Sequence, residues 1–300
     1  MVTTRRDVSV VVPMYNAAGT IERALKTVVQ QSVVDWELIV VDDGSSDASR
    51  DIVREKFPHA TLICQNNMGA AAARNRGVSV ATAPLIAFLD ADDQWHRRKL
   101  EVQLGAMKGH PRAGMCSTRL QRFRVGEEGE YRADCPLPQL VPVCELPFLE
   151  LFQKPYLSTP TILIEKSLFD ECGGFDESLK SAEDVDLWLR AGYRQPVIMV
   201  ESILVGVSHT PGGLSDSRRR SIDLDNLRVI EKFANQHPDF VASHPQAIRA
   251  GKAEVLARLG SELLCNKEYG AARRALAKSL LNAPSWRAFY LFAKTLLPIG

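Results

Sequence analysis

The sequence predicts an α/β fold: a mostly parallel central sheet flanked by helices, carrying an all-helical extension at its C-terminal end. Three observations predict it. Short β-branched runs alternate with helix-period segments through the first ninety-odd residues, three of those runs end in polar or acidic residues, and beyond Ser215 the pattern is helical to the end. The boundary falls near Thr210 to Ser221, dividing the chain into residues 1–215 and 216–300.

Val8 to Val12 is a β-branched run closed by Pro13, the signature of a strand buried on both faces. Ile21, Ala24, Leu25, Val28 and Val29 then repeat at helical spacing between Thr20 and Gln31. Glu37 to Val41 gives a second strand, Ser49 to Phe57 a helix, Thr61 to Cys64 a third strand, Gly69 to Ala81 an Ala-rich helix and Leu85 to Leu89 a fourth strand. Alternation at this spacing requires crossover connections and hence parallel strands. Between Ala106 and Pro155 the periodicity fades, and Pro136, Pro138, Pro142 and Pro147 break any long element. Further on, Thr161 to Ile164 reads as a strand, Lys166 to Glu171 and Glu183 to Ala191 as helices, and Val197 to Val207 as a late strand. Gly260 to Pro284 resembles one tetratricopeptide unit, which alone cannot bury its apolar face and is expected to pack on the rest of the protein.

Composition narrows the function classes. The chain has 300 residues, of which 45% are hydrophobic and 24% charged, so it can build a core and is not disordered. A net charge of +1 provides no global field for nucleic acid, although from His244 onward nine Lys and Arg face three Glu, making the tail basic. Six cysteines without a C-x-x-C pair suggest neither a disulfide framework nor a zinc site. The apolar run before Pro13 is too short for a signal-peptide core, and no stretch reaches the ~20 apolar residues of a spanning helix. A cytoplasmic location is expected, with the basic tail and its Trp286, Phe289 and Tyr290 compatible with peripheral contact at the inner membrane face.

The main clue is where the acids stand. Pro13-Met14-Tyr15-Asn16, Asp42-Asp43 and Asp90-Ala91-Asp92-Asp93 each follow a predicted strand. Ligands of an open parallel sheet bind outside the carboxyl ends of its strands, which would bring these groups to one crevice. Clustered carboxylates repel one another unless a cation compensates, and Asp-x-Asp offers hard oxygen ligands suited to Mg²⁺ or Mn²⁺ beside a diphosphate. Asp and Gly after strands also serve simply as turn formers. Neither a Gly-rich dinucleotide fingerprint nor a phosphate-cradling G-x-x-x-x-G-K-S/T occurs, which excludes hydride transfer and P-loop chemistry. Asp90-Ala91-Asp92-Asp93 followed by Gln94 also departs from the D-x-D-x-T/V of haloacid-dehalogenase-type phosphatases.

These residues resemble the family 2 glycosyltransferases of GT-A fold over about residues 7 to 215. Val8 to Asn16 looks like that family's opening strand and Glu37 to Asp47 like its second. Asn67-Met68-Gly69 through Ala73-Arg74-Asn75-Arg76-Gly77 is similar to the helix before its metal motif, and Leu89 to Asp93 with Trp95 to that motif itself. Gly173-Gly174-Phe175-Asp176-Glu177 and Glu183-Asp184-Val185-Asp186-Leu187-Trp188 resemble its acceptor-side segment. The resemblance implies that Pro13, Tyr15 and Asn16 border a nucleotide, that Asp43 accepts a hydrogen bond from the base, and that Asp42 supports its loop. It implies further that Arg74 and Asn75 lie beside the nucleotide and phosphates, that Asp90 and Ala91 adjoin the ribose, and that Asp92, with Asp93 and the late His209, holds Mn²⁺ or Mg²⁺. Read from the residues, Gly173 and Gly174 either let the backbone approach a sugar or close a turn.

By the same resemblance Asp184 is the general base of an inverting displacement, with Glu183 orienting it or touching the donor sugar. Read from the residues alone, Ser181-Ala182-Glu183-Asp184 is equally a helix cap with acids favoured by the macrodipole, and Asp186 is expected to face solvent. The implied activity moves a sugar from a nucleoside-diphosphate donor, a UDP-sugar first, to a glycan or lipid-linked acceptor for a surface polysaccharide. The chain lacks the Q-x-x-R-W motif of processive synthases, so one sugar per encounter is expected, and Arg97 stands where relatives often have proline. The rival of a different class is a catalytically silent nucleotide-sugar-binding scaffold. A nucleotidyltransferase is remote, since its Gly-rich, Lys-containing opening loop is missing.

Overall fold

A computed structural model of the chain describes residues 6–33, 35–124, 131–153, 157–208 and 219–296. The residues group into two compact units that alternate along the sequence: Met1–Pro147, Leu157–Ser178 and Arg190–Thr210 form the first, and Phe148–Tyr156, Leu179–Leu189 and Pro211–Gly300 the second.

The first unit is built on the sheet. β1 (Val8–Met14) pairs in parallel with β2 (Trp36–Asp42) from Val8 opposite Trp36 to Met14 opposite Asp42, and β2 pairs in parallel with β3 (Thr61–Cys64). On its other side β1 pairs with β4 (Leu85–Phe88), but only as far as Val11 opposite Phe88. Past that point β1 has β2 alone beside it, which is why Pro13, with no N–H to give a second neighbour, is tolerated in a strand that is otherwise central. α1 (Ile21–Val29), α2 (Ser49–Lys56) and α3 (Ala70–Val80) make the crossovers. α1 buries Ile21, Ala24, Leu25 and Val28, one stripe of a 3.6-residue period, in the cluster that holds Val10, Val12 and Leu38.

Beyond β4 the sheet is mixed. Its order is β3-β2-β1-β4-β8-β6-β9-β5, with β7 also on β9. β8 (Leu163–Glu165) runs antiparallel to β4 and to β6 (Met115–Phe123), while β6 is parallel to β9 (Val197–Ser208), with register shifts around Arg119. β5 (Gln94–Trp95) and β7 (Val143–Leu146) lie antiparallel to β9. The stretch in which periodicity fades thus holds the end of α4 (Lys99–Gly109), all of β6 and β7, and α5 (Phe148–Gln153). The strand expected from Thr161 starts at Leu163, because Pro160 sits in a 3₁₀ turn over Thr159–Thr161. α6 (Lys166–Glu171) follows it, and α7 (Glu183–Arg194) precedes β9.

The second unit is helical. It comprises α5, the start of α7, and α8 (Arg219–Gln236), α9 (Pro238–Ser243), α10 (Pro245–Cys265), α11 (Tyr269–Asn282) and α12 (Trp286–Lys294). Phe148, Phe152, Phe233 and Phe240 form its aromatic centre, with ring centroids between 5.2 and 6.0 Å apart. α10 and α11 pack closely where Gly260 meets Leu276; a Cβ at 260 would lie 2.5 Å from the Leu276 Cγ.

Candidate active site

The strand order reverses between β1 and β4, and the two strands part beyond Val11. The crevice outside the carboxyl ends of strands at such a reversal is where open α/β sheets take ligands. The ends of β1, β2 and β4 all meet this region, and each carries predicted site residues.

The rim after β1 and β2 is held by its own hydrogen bonds. Asp42 is fully buried at the last position of β2; Arg50 Nε donates to its Oδ2 at 2.6 Å, and the Ser45 N–H lies 3.3 Å from both oxygens. Asp43 accepts three N–H groups at 2.8 Å: Gln65 Nε2 and the Met68 backbone on Oδ1, and the Gly69 backbone on Oδ2. Asn16 has φ +47°, its N–H donates to Ser45 Oγ at 2.9 Å, and its Oδ1 accepts from the Ser46 N–H at 2.9 Å. Asp47 accepts from the Ala18 N–H and from the Ser49 hydroxyl, and the Ser49 oxygen in turn accepts from the Ala17 N–H. Tyr15, beside Pro13, stays half exposed at this rim.

The turn after β4 differs. The Asp93 N–H closes it on the Asp90 carbonyl at 3.1 Å, leaving Asp90, Asp92 and Asp93 on four consecutive positions with Ala91. Arg74 Nη2 donates to Asp90 Oδ1 at 2.7 Å, and the Ser208 N–H at the end of β9 donates to Asp93 Oδ1 at 2.8 Å. Among the described residues the Asp92 carboxylate has no hydrogen-bond partner beyond its own N–H, while Arg23 Nη2 reaches its carbonyl at 3.2 Å. Burial first, and then the neighbouring Asp90, push the Asp92 carboxyl up to about 6. Burial, Asp90 and Asp92 also raise Asp93 well above the usual carboxylate range. Among the described residues no three His, Cys, Asp or Glu side chains are gathered as a preformed metal cage. The donor set nevertheless fits a hard divalent cation: Asp90, Asp92 and Asp93 supply oxygens only, Asp93 is buried while Asp92 reaches solvent, and the Asp92 carboxylate has no side-chain partner among the described residues. His209 lies outside the described residues.

α3 ties this turn to a second loop. Arg74 is buried, and besides Asp90 its guanidinium faces the Phe175 ring at 5.4 Å. The next residue, Asn75, clamps the same segment: its Nδ2 donates to the Phe175 carbonyl at 2.9 Å and to Glu177 Oε1 at 2.8 Å, and its Oδ1 accepts the Phe175 N–H at 2.9 Å. Both ends of the amide are therefore engaged by the chain itself. Gly174 has φ +71°, and a Cβ there would lie 2.7 Å from Asn75 Oδ1, so both backbone angle and clearance demand glycine. Arg190, a position given no role by sequence reasoning, donates to the Cys172 and Gly174 carbonyls and anchors the loop from the other side.

Glu183 and Asp184 open α7, in the portion that belongs to the second unit. Asp184 Oδ1 accepts the Val185 N–H at 2.8 Å. Asp186 corrects the expectation of a solvent-facing acid: it is 3% exposed and pairs with Lys232 Nζ at 2.8 Å. That partner lies 46 positions away on α8, and nothing local in the sequence announces it. Arg23, Arg50 and Gln65 were likewise invisible to motif reasoning, being ordinary polar residues whose partners are set by the crossovers.

The description "Glycosyl transferase family 2" matches residues 9–173, more than half of the chain. The chain belongs to this family. Among its relatives is an Escherichia coli protein named as a UDP-Glc:alpha-D-GlcNAc-diphosphoundecaprenol beta-1,3-glucosyltransferase, WfgD, 42% identical over 102 residues that make up 33% of this chain and 40% of that one. The fold of this chain is similar to that of Staphylococcus aureus TarS, residues 1–349, solved with UDP-GlcNAc (TM-score 0.60, 18% identity, 96% of this chain and 91% of that chain). It is also similar to that of the mannosyltransferase PcManGT from Pyrobaculum calidifontis, solved with GDP-Man and Mn²⁺ (TM-score 0.65, 20% identity, 97% and 80%). The matches to the first curated relatives span only about a third of their length, between 28% and 36%. A family 2 glycosyltransferase with a GT-A sheet is thus what the chain is.

Proposed function

We propose that this family 2 enzyme transfers one sugar per encounter, with inversion, from a nucleoside-diphosphate sugar to a glycan or lipid-linked acceptor of a surface polysaccharide. A UDP-sugar is the first choice of donor. Residues 1–215 carry the donor site and reacting groups, and the helical segment from 216 onward supports them. The observation that carries this reading is the contrast at the sheet reversal, where a hydrogen-bonded pocket of backbone and carboxylate stands beside three crowded carboxylates that repel one another.

Pro13, Tyr15 and Asn16 border the nucleotide, and Asp43, its Oδ2 holding one N–H, accepts from the base while Asp42 fixes the loop. Arg74 orients Asp90 toward the ribose beside Ala91. Asn75 acts through the Gly174 loop that it clamps. Asp92, with Asp93 and His209, would hold Mn²⁺ or Mg²⁺, which when bound supplies Lewis-acid neutralisation of charge on the leaving diphosphate. Asp184 accepts the proton of the acceptor hydroxyl as its oxygen bonds to the anomeric carbon and the bond from that carbon to the β-phosphate oxygen breaks; Glu183 orients the base. The products are the glycoside of inverted configuration, the nucleoside diphosphate and one proton. WfgD's lipid-linked acceptor and the exposed Trp286, Phe289 and Tyr290 on α12 support work at the cytoplasmic face of a membrane, in peripheral contact; no described helix is long and apolar enough to cross one.

The test is thermal shift of the full chain with UDP-glucose, UDP-GlcNAc and GDP-mannose, with and without Mn²⁺. One donor at about a hundred times its Kd should raise Tm by about 5 °C with metal. Asp92→Ala should lose that response; Asp184→Asn should keep it and lose donor turnover. Failure of all three donors overturns the transferase assignment of donor class, and binding without turnover on a panel of acceptors favours the scaffold reading.

A further inference from the structure

α7 begins under strain. Ala182 is buried and has φ +60°, a left-handed conformation that costs a non-glycine residue of order 1–3 kcal/mol. Such a backbone persists only where its surroundings over-determine it, and two contacts from α8 do so. Ser181, just before Ala182, donates its hydroxyl to Asp225 Oδ2 at 2.6 Å. Asp186, one turn into the helix, pairs with Lys232. Asp225 and Lys232 are seven residues apart and so share one face of α8. That face therefore grips α7 on both sides of Glu183 and Asp184.

We propose that Asp225 and Lys232 are positioning residues for Asp184, so that the helical extension sets the aim of the base rather than merely stabilising the fold. The inference rests on Asp184 being the base. A buried carboxylate on a hydroxyl and an ion pair with one buried end, Asp186, add little stability over apolar packing of the same volume, because the buried groups must be desolvated. What they add is direction: two polar contacts of fixed geometry straddle the turn that carries the acids. Asp225 is itself oriented by Arg228, whose Nη1 donates to its Oδ1 at 2.9 Å.

The experiment uses the full chain and the donor returned by the thermal-shift screen, reading release of nucleoside diphosphate. Asp225→Ala should lower kcat about thirtyfold, within the range a misplaced catalytic group produces. Donor KM and the Mn²⁺-dependent thermal shift should stay within twofold. Asp225→Asn, which keeps an acceptor oxygen for Ser181, should recover kcat to within about threefold. Ser181→Ala should resemble Asp225→Ala, the double variant should be no worse than either, and Lys232→Met should lower kcat with the same split. Loss of Tm with unchanged kcat per folded molecule, or kcat and KM failing together, would overturn the proposal. If Asp225→Ala does not fold, Ser181→Ala carries the same decision. Should Asp184→Asn keep full turnover, the base assignment fails and this inference with it. A dead Asp184→Asn beside a fully active Asp225→Ala removes only the positioning role.

Discussion

Two strand-end groups of aspartates, on strands separated by β1 alone, are built on opposite principles. After β2, Asp42 and Asp43 are saturated by the chain: one guanidinium, one side-chain amide and three backbone N–H groups converge on them. After β4, Asp90, Asp92 and Asp93 crowd together, with Arg74 on the first, a single N–H from Ser208 on the last and nothing on the middle one but its own N–H. The first group has its partners before any ligand arrives, which makes it a rigid frame with fixed lone pairs. In the second only Asp93 is buried while Asp92 reaches solvent, and Asp90 raises the cost of ionising both of them. Carboxylates that hold a loop and carboxylates that hold an ion are thus told apart by their hydrogen bonds, not by residue type.

The largest expected break in this contrast is Asp43→Ala. It removes the charged acceptor of three part-buried N–H groups and should cost about 3 kcal/mol of stability, read by urea unfolding, since hydrogen bonds to a charged group contribute about 1.5–3 kcal/mol each and water replaces only part of them. A cost below about 1 kcal/mol would mean that the loop after β2 is not held by this carboxylate.

A second comparison sharpens the first by adding a buried cation. Lys99, the first residue of α4, is fully buried, with Nζ 4.1 Å from the Trp95 ring centroid and donating to Gln103 Oε1 at 2.6 Å. Burial drives its ammonium down to about 7, against weak support from Cys116, whose thiol burial pushes up to about 12. A base lowered in the folded state binds fewer protons there than when unfolded, so stability rises with pH between about 7 and 10.5 and is lowest below that window. Lys99→Met should therefore stabilise the protein more at pH 6 than at pH 9, by about 2 kcal/mol in the difference of unfolding free energies. Equal effects at both pH values would show an ammonium that stays charged through the window.

How much of this was legible follows from where each partner sits. The first four strands and three helices are written locally, in β-branched runs and a 3.6-residue stripe such as Ile21, Ala24, Leu25 and Val28, and they appear within a residue or two of their expected bounds. β6 and β7 were not legible, because their pairing is decided by β9, 82 to 85 positions beyond β6 and 51 to 57 beyond β7, and by the register shift at Arg119. The same holds in the site. Motif order located Asn75, but its amide answers to Phe175 and Glu177, about a hundred residues on. Asp186 looked like a first-turn acid favoured by the helix dipole, and Lys232 on α8 is what buries it. Local pattern gives elements and the positions of acids; whether an acid is satisfied is a tertiary property.

The smallest effect is the most discriminating, because its sign is opposite to that at Asp43. Asp92→Asn keeps shape and volume but deletes the central charge of the β4 group, relieving its repulsion with Asp90 and Asp93. In metal-free buffer at pH 7 it should stabilise the chain by about 1 kcal/mol, the gain expected when a residue is kept for function against the interest of folding. Mn²⁺ should erase that advantage, since a cation that binds only the folded parent raises its stability by mass action and leaves the variant behind. The crossing of the two unfolding curves with metal is the measurement. A variant that is destabilised as Asp43→Ala is, with no response to Mn²⁺ in the parent, would place the β4 carboxylates among the structural ones and dissolve the distinction between the two rims.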